Sequence, residues 1–115
     1  MSKAIRVPQE IGEGKDREVQ VLLQDQWRKL AVIKLRRGVI LADHSARFPI
    51  TIQTLTGKGI LRVGSDEHAL FPGVLVPVEA HAIHSVQGDA EVAILVTFFR
   101  QPEAQAGNDT TARFD

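Results

Sequence analysis

Apolar residues in this chain fall into short β-branched runs broken by turn residues, and no stretch keeps a helical 3.6-residue period. The pattern predicts an all-β chain. Residues 19–24 read as a first strand, and the polar Asp25-Gln26 leads through Trp27 into a second at 29–36, which Gly38 separates from a third at 39–42. Residues 50–55 follow. Gly57-Lys58-Gly59 lacks the spacing and following helix of a phosphate loop and reads as a hairpin turn into 60–63. Gly64-Ser65-Asp66 offers a further reversal, because glycine tolerates positive φ and aspartate bonds its own backbone, and 68–71 return. Pro72-Gly73 suits the central pair of a type II turn. In the strand at 74–78, Pro77 cannot donate to a ladder and so marks an edge, an end or a bulge. Residues 81–86, a turn at Gly88-Asp89, and 92–99 complete the series; the last run is apolar on both faces and is expected to be covered on both. About nine short strands in one small chain predict a sandwich or barrel.

The length of 115 residues allows one core, so residues 19–100 read as a single barrel domain after an N-terminal arm at 1–18. The polar, aperiodic stretch 101–115 reads as a flexible tail. Lys plus Arg (14) balance Asp plus Glu (14), which removes any global pull toward nucleic acid or an anionic membrane. The local cluster Lys34, Arg36 and Arg37 has no interleaved aromatics and reads as a solvated strand edge. With no cysteine, disulfides, thiolate metal sites and cysteine nucleophiles are excluded. No apolar run approaches the roughly 18 residues of a membrane span, and the N-terminus has no apolar signal core, so a cytoplasmic protein is expected.

The glycine and histidine spacing resembles that of the small single-domain cupins, jelly-roll β-barrels. Their first motif runs G, five residues, H, one residue, H, three or four residues, E, six residues, G. Here Gly38 is followed after five residues by His44, Ala46 holds the second His position, Ile50 the Glu position, and Gly57 closes the frame. The second motif runs G, five residues, P, one residue, G, two residues, H, three residues, N. Gly73 precedes His84 at the spacing of the closing histidine, while Glu79, His81 and Gly88 hold the Pro, Gly and Asn positions. The phrase HSARFPITIQTLTG is also similar to a subgroup of short cupins, mostly of unknown function, with one histidine before a Pro-Ile stretch.

The resemblance implies a jelly-roll barrel and a ligand set of histidines and a carboxylate for Fe, Mn, Ni or Zn, with open positions for substrate. Strand alternation then turns His44, Ala46, Ile50, Ile52 and Thr54 inward and Gln53 outward. Two of the four implied ligands have become hydrocarbon. His44 and His84 remain as an inward pair, with His81 as a third candidate donor if its loop turns it inward. The interior formed by Ala46, Ile50, Ile52 and Val86, with Phe48, Leu75 and Ile94, is apolar with two imidazoles at one end.

Two readings follow from that interior. One is a module binding a small, mainly apolar molecule, with His44 and His84 as hydrogen-bond partners or holders of a weakly bound divalent metal. The other is a metal-dependent oxygenase or isomerase using His44, His81 and His84, with Glu79 nearby. Each imidazole can instead be satisfied by backbone carbonyls or water as ordinary packing, and His68, in the hairpin after Glu67, is read that way. Asp43 is adjacent to His44 and expected to face out, and Ser45 and Ser85 lack a nucleophile turn. The apolar terminal strands and the family habit of pairing barrels predict a homodimer, unless the N-terminal segment folds back over the sheet.

Overall fold

The computed structural model describes residues 2–101, so most of the predicted tail lies outside the described residues. Seven strands form one antiparallel sheet: β1 (Arg17–Gln24), β2 (Arg28–Arg36), β3 (Ile40–His44), β4 (Ile50–Val63), β5 (Asp66–Leu70), β6 (Leu75–Val78) and β7 (His84–Phe99). Their order is β1-β2-β7-β4-β5, with β3 added to β7 and β6 to β4.

The nine predicted runs become seven because two expected turns are not turns. Gly57-Lys58-Gly59 lies inside β4, and Gly88-Asp89 lies inside β7. Residues 81–83 fall outside β7, in the turn before it. β4 and β7 pair along nearly their whole length, with register shifts at Thr54/Thr56 and Gly57/Gly59 and with Gly59 opposite Gly88. A side chain at Gly57 would place its Cβ 2.4 Å from the Glu91 carbonyl oxygen, and one at Gly59 would lie 2.4 Å from that of Gln87. The glycines therefore let two backbones touch where both strands fold over, and the chain continues instead of reversing. Val86 and Ile94, about 26 Å apart on an extended strand, line one cavity, which requires β7 to fold back on itself.

That fold makes two facing walls. One holds β1, β2, the second half of β7, the first half of β4, and β6; the other holds β3, the first half of β7, the second half of β4, and β5. Both ends of β4 and both ends of β7 consequently meet at the same open end of the barrel.

Registers identify the inner face. Leu35, Ile33 and Ala31 of β2 stand opposite Val92, Ile94 and Val96 of β7, while Ile52 of β4 stands opposite both Val96 and Val76. All of these are buried. The inward parity predicted for Ile50, Ile52 and Thr54 is borne out, with exposures of 3%, 1% and 1%. Leu75 is a correction: it pairs with the outward Gln53 and is 56% exposed, and Val76 and Val78 fill the interior in its place. Pro77 sits on the edge strand β6, where its missing N–H costs no ladder bond. Thr54 Oγ1 is buried without a hydrogen-bond partner among the described residues. Thr54→Val is therefore expected to raise stability by about 1 kcal/mol in chemical denaturation; a loss of stability would mean the hydroxyl is satisfied.

The predicted reversals at Gly64-Ser65 and Pro72-Gly73 are present. Val63 pairs with Asp66 across the first, and in the second Val74 N–H donates to the Phe71 carbonyl with Gly73 at φ +96°. Between β1 and β2 the Asp25 carboxylate accepts the Trp27 and Arg28 N–H groups, each at 2.9 Å, and these bonds, Trp27's foremost, hold its carboxyl below the usual carboxylate range. His68 belongs to β5, within the predicted run 68–71, and is half-buried opposite Leu61.

The basic cluster is a second correction. Arg36 is 2% exposed, and its guanidinium donates to the carbonyls of Ile11, Gly12 and Lys15 and to Glu18. Arg37 donates to the Gly14 carbonyl and to Asp16. The N-terminal arm folds back over the outer face of β2 with Ile11 buried, while Val19 and Val21 of the edge strand β1 stay about half exposed.

Candidate functional site

The folded-over barrel leaves a cavity of about 190 Å³ near its open end. Hydrocarbon from both walls lines it: Ile33, Ile50, Ile52, Ile94, Val96 and Phe98 on one side, Leu41 and Val86 on the other. His44, Ser45, Ala46 and His84 complete the lining. Of the predicted pocket residues, His44, Ala46, Ile50, Ile52, His84, Val86 and Ile94 are brought together here. Phe48 instead lines a neighbouring cavity of about 210 Å³.

His44 and His84 are Cα partners across β3 and β7, with ring centroids 6.4 Å apart and planes tilted by 42°. A bulge makes this possible. Leu41 pairs with Val86 and His44 with His84, so three steps along β3 match two along β7. Without the extra residue, Leu41 and His44 would face opposite ways; with it, both reach the cavity. Ser45, just beyond the end of β3, also lines the cavity.

His84 is 8% exposed, and its Nδ1 lies 3.0 Å from the Ala82 carbonyl oxygen. A carbonyl only accepts, so Nδ1 carries the proton, and a neutral ring then offers Nε2 as an acceptor. His44 is exposed at the rim. The cavity therefore presents one oriented imidazole, one adaptable imidazole and otherwise hydrocarbon.

His81 does not join them. It adopts φ +69°, its N–H donates to the Ala46 carbonyl, and it lines a separate surface depression with Glu79, Phe48 and Pro49. Asp43 is exposed on β3. Among the described residues no three histidine, aspartate or glutamate side chains come together to hold a metal ion. A tightly held transition metal asks for at least three donors, and Ala46 and Ile50 stand where two would be needed. The residues present do not fit a resident metal.

Sequence reasoning missed Ile33, Leu41, Val96 and Phe98 as lining residues. Their signal was only the inward parity of their strands, which becomes readable once the β2–β7 and β3–β7 registers are known. It also missed Lys29, which pairs with Phe98 on the inner face of β2.

No protein-family model and no curated protein sequence matches the chain. Solved structures do. A cupin superfamily protein from Desulfitobacterium hafniense superposes with a TM-score of 0.72 at 16% identity, covering 77% of this chain and 84% of that one. An RmlC-like cupin from Shewanella frigidimarina gives 0.71 at 20% identity, covering 83% and 86%. A mutant salicylate 1,2-dioxygenase from Pseudoaminobacter salicylatoxidans, in complex with gentisate, gives 0.67 at 15% identity, covering 71% of this chain but 24% of the enzyme. At these identities the likeness shows the fold: the chain is a cupin-type jelly-roll barrel.

Proposed function

We propose that this barrel is a binding module for one small, mainly apolar molecule, held in the cavity with a hydrogen bond to the His84 imidazole. The observation that carries this reading is the cavity itself, about 190 Å³ walled by hydrocarbon with two imidazoles at one end. A dry cavity of roughly 150 Å³ with a similar lining is large enough to take up benzene. Small-molecule sites combine such a lining with a few oriented polar groups, and His84, fixed through Nδ1, is one. Fold likeness to a dioxygenase carries no chemistry by itself, and the donor set here does not supply the third ligand that the enzyme reading needs.

The test uses two neutral probes with one hydroxyl each, benzyl alcohol and 4-methylpentan-1-ol, titrated against the full chain by calorimetry and by NMR of the cavity methyl groups. Both are expected to bind and to shift Ile52, Val86 and Ile94. Ala46→Leu fills the cavity and is expected to weaken binding at least about tenfold without lowering the melting temperature. Neither probe binding would mean that the space is ordinary packing. Stoichiometric metal in untagged protein, lost in both His44→Ala and His84→Ala, would replace the hydrogen-bonding role of the pair with a metal site.

A further inference from the structure

Lys29 is a cation on the inward face of a barrel strand. Its Cα partner is Phe98, and the next inward pairs are Ala31 with Val96 and Ile33 with Ile94, so it continues the row that walls the apolar cavity. The side chain is not turned away at the end of that row. Its Nζ lies 5.5 Å from the centroid of the Phe98 ring. Lys29 lines the outer cavity of about 210 Å³, which shares Ala46, Ile50 and Phe98 with the apolar one; Arg47, lying over the Phe48 ring, and Arg100, donating to the Asp25 carbonyl, line that outer cavity too. Among the described residues no aspartate or glutamate lines either space. Lys29 makes no ion pair among the described residues, and the only partner of its charge there is the face of an aromatic ring.

An ammonium whose partner is a ring face is weakly compensated compared with one that meets a carboxylate. The two adjoining spaces thus differ in kind: hydrocarbon with an imidazole acceptor inside, and at the door a lysine that meets no carboxylate among the described residues. We propose that the ligand is a small amphipathic monocarboxylate, whose hydrocarbon part fills the apolar cavity and whose carboxylate meets the Lys29 ammonium in the outer one. Of the cations around the outer cavity it is Lys29 that lies over Phe98, the ring both spaces share, and one compact point charge there matches one carboxylate, which is why a monoanion is named. Lys29 is then the residue that selects acids over neutral molecules of the same shape. This inference rests on the binding reading above.

The probes are 4-methylpentanoate and benzoate against their amides, which keep the shape and lose the charge. Calorimetric titration of the full chain at neutral pH and low salt is expected to show each acid binding about 10- to 100-fold more tightly than its amide. In Lys29→Met, which keeps the apolar stem, the preference is expected to vanish while amide affinity stays within about twofold; Lys29→Arg is expected to retain it. Acids and amides binding the parent protein equally would overturn the assignment and leave the apolar-pocket reading standing. An acid preference that survives in Lys29→Met would overturn it as well, placing the anion elsewhere. If neither acids nor amides nor the neutral alcohols bind, the pocket reading has failed and the assignment with it.

Discussion

Gly57→Ala is expected to cost about 3 to 5 kcal/mol, enough to leave little folded protein, because a Cβ at this position meets backbone that cannot move aside. Its nearest neighbours would be the Glu91 carbonyl oxygen at 2.4 Å and the Val92 Cα at 2.8 Å. Glu91 and Val92 are themselves fixed opposite Arg36 and Leu35 of β2, and Val92 is fully buried. The residue also sits at φ +84°, where an L side chain is strained even in open space. Gly64→Ala separates the two costs. It has φ +59° and nothing within 4 Å of an added Cβ, so about 1 kcal/mol is expected from backbone strain alone. Urea denaturation of both variants, with soluble yield for the first, makes the comparison. Equal and mild effects would show that β4 and β7 do not pack backbone to backbone at the fold-over.

The same glycines mark where sequence reasoning stopped. A glycine beside polar residues looks alike whether the chain reverses or a strand bends, since both need backbone freedom and exposed polar neighbours. What separates the cases is pairing with a strand about thirty residues away, and no local pattern contains that. The alternation in β4 survived, which is why Ile50, Ile52 and Thr54 were legible as inward residues, with His84 placed by its motif spacing, while the turn between the strand halves was misassigned. Leu75 failed for a related reason: its face is set by the register that puts Pro77 opposite Thr51, not by its own run. His44 was placed by the glycine spacing and by its parity with Ile50, Ile52 and Thr54, while the β3 bulge hid Leu41, three residues before it, as a lining residue. Lys29 was unreadable. A lysine in an apolar strand reads as the solvent face until the register shows it sharing a face with Ile33.

Arg36 was misread in the opposite direction, taken as solvated when it is among the most buried polar residues, and its replacement is the other large effect expected. Arg36→Met should cost about 3 to 5 kcal/mol and free the N-terminal arm. The guanidinium donates at 2.7 Å to the Ile11 carbonyl, 3.0 Å to Gly12 and 2.6 Å to Lys15, and a methionine leaves these acceptors with no donor beneath the arm. The Glu18 pair is the lesser part. Its carboxylate side chain is 48% exposed, so solvent screens it, and Glu18→Gln is expected to cost under about 1 kcal/mol. Arg36→Lys should behave nearly as badly as methionine, since one ammonium cannot span three carbonyls lying in different directions around a planar fork. Denaturant midpoints give the energies, and limited trypsin digestion reads the arm, with cleavage after Lys15 or Arg17 expected under conditions where the barrel stays intact. Protection of the arm in Arg36→Met, or a Glu18→Gln as costly as the arginine replacement, would show that the surface ion pair and not the carbonyl cage holds the segment down. The cage is the stronger anchor on physical grounds: three of its four bonds go to backbone that the arm presents wherever its side chains point, so the attachment depends on the path of the chain and chiefly on Arg36, with exposed Arg37 adding one more carbonyl at Gly14.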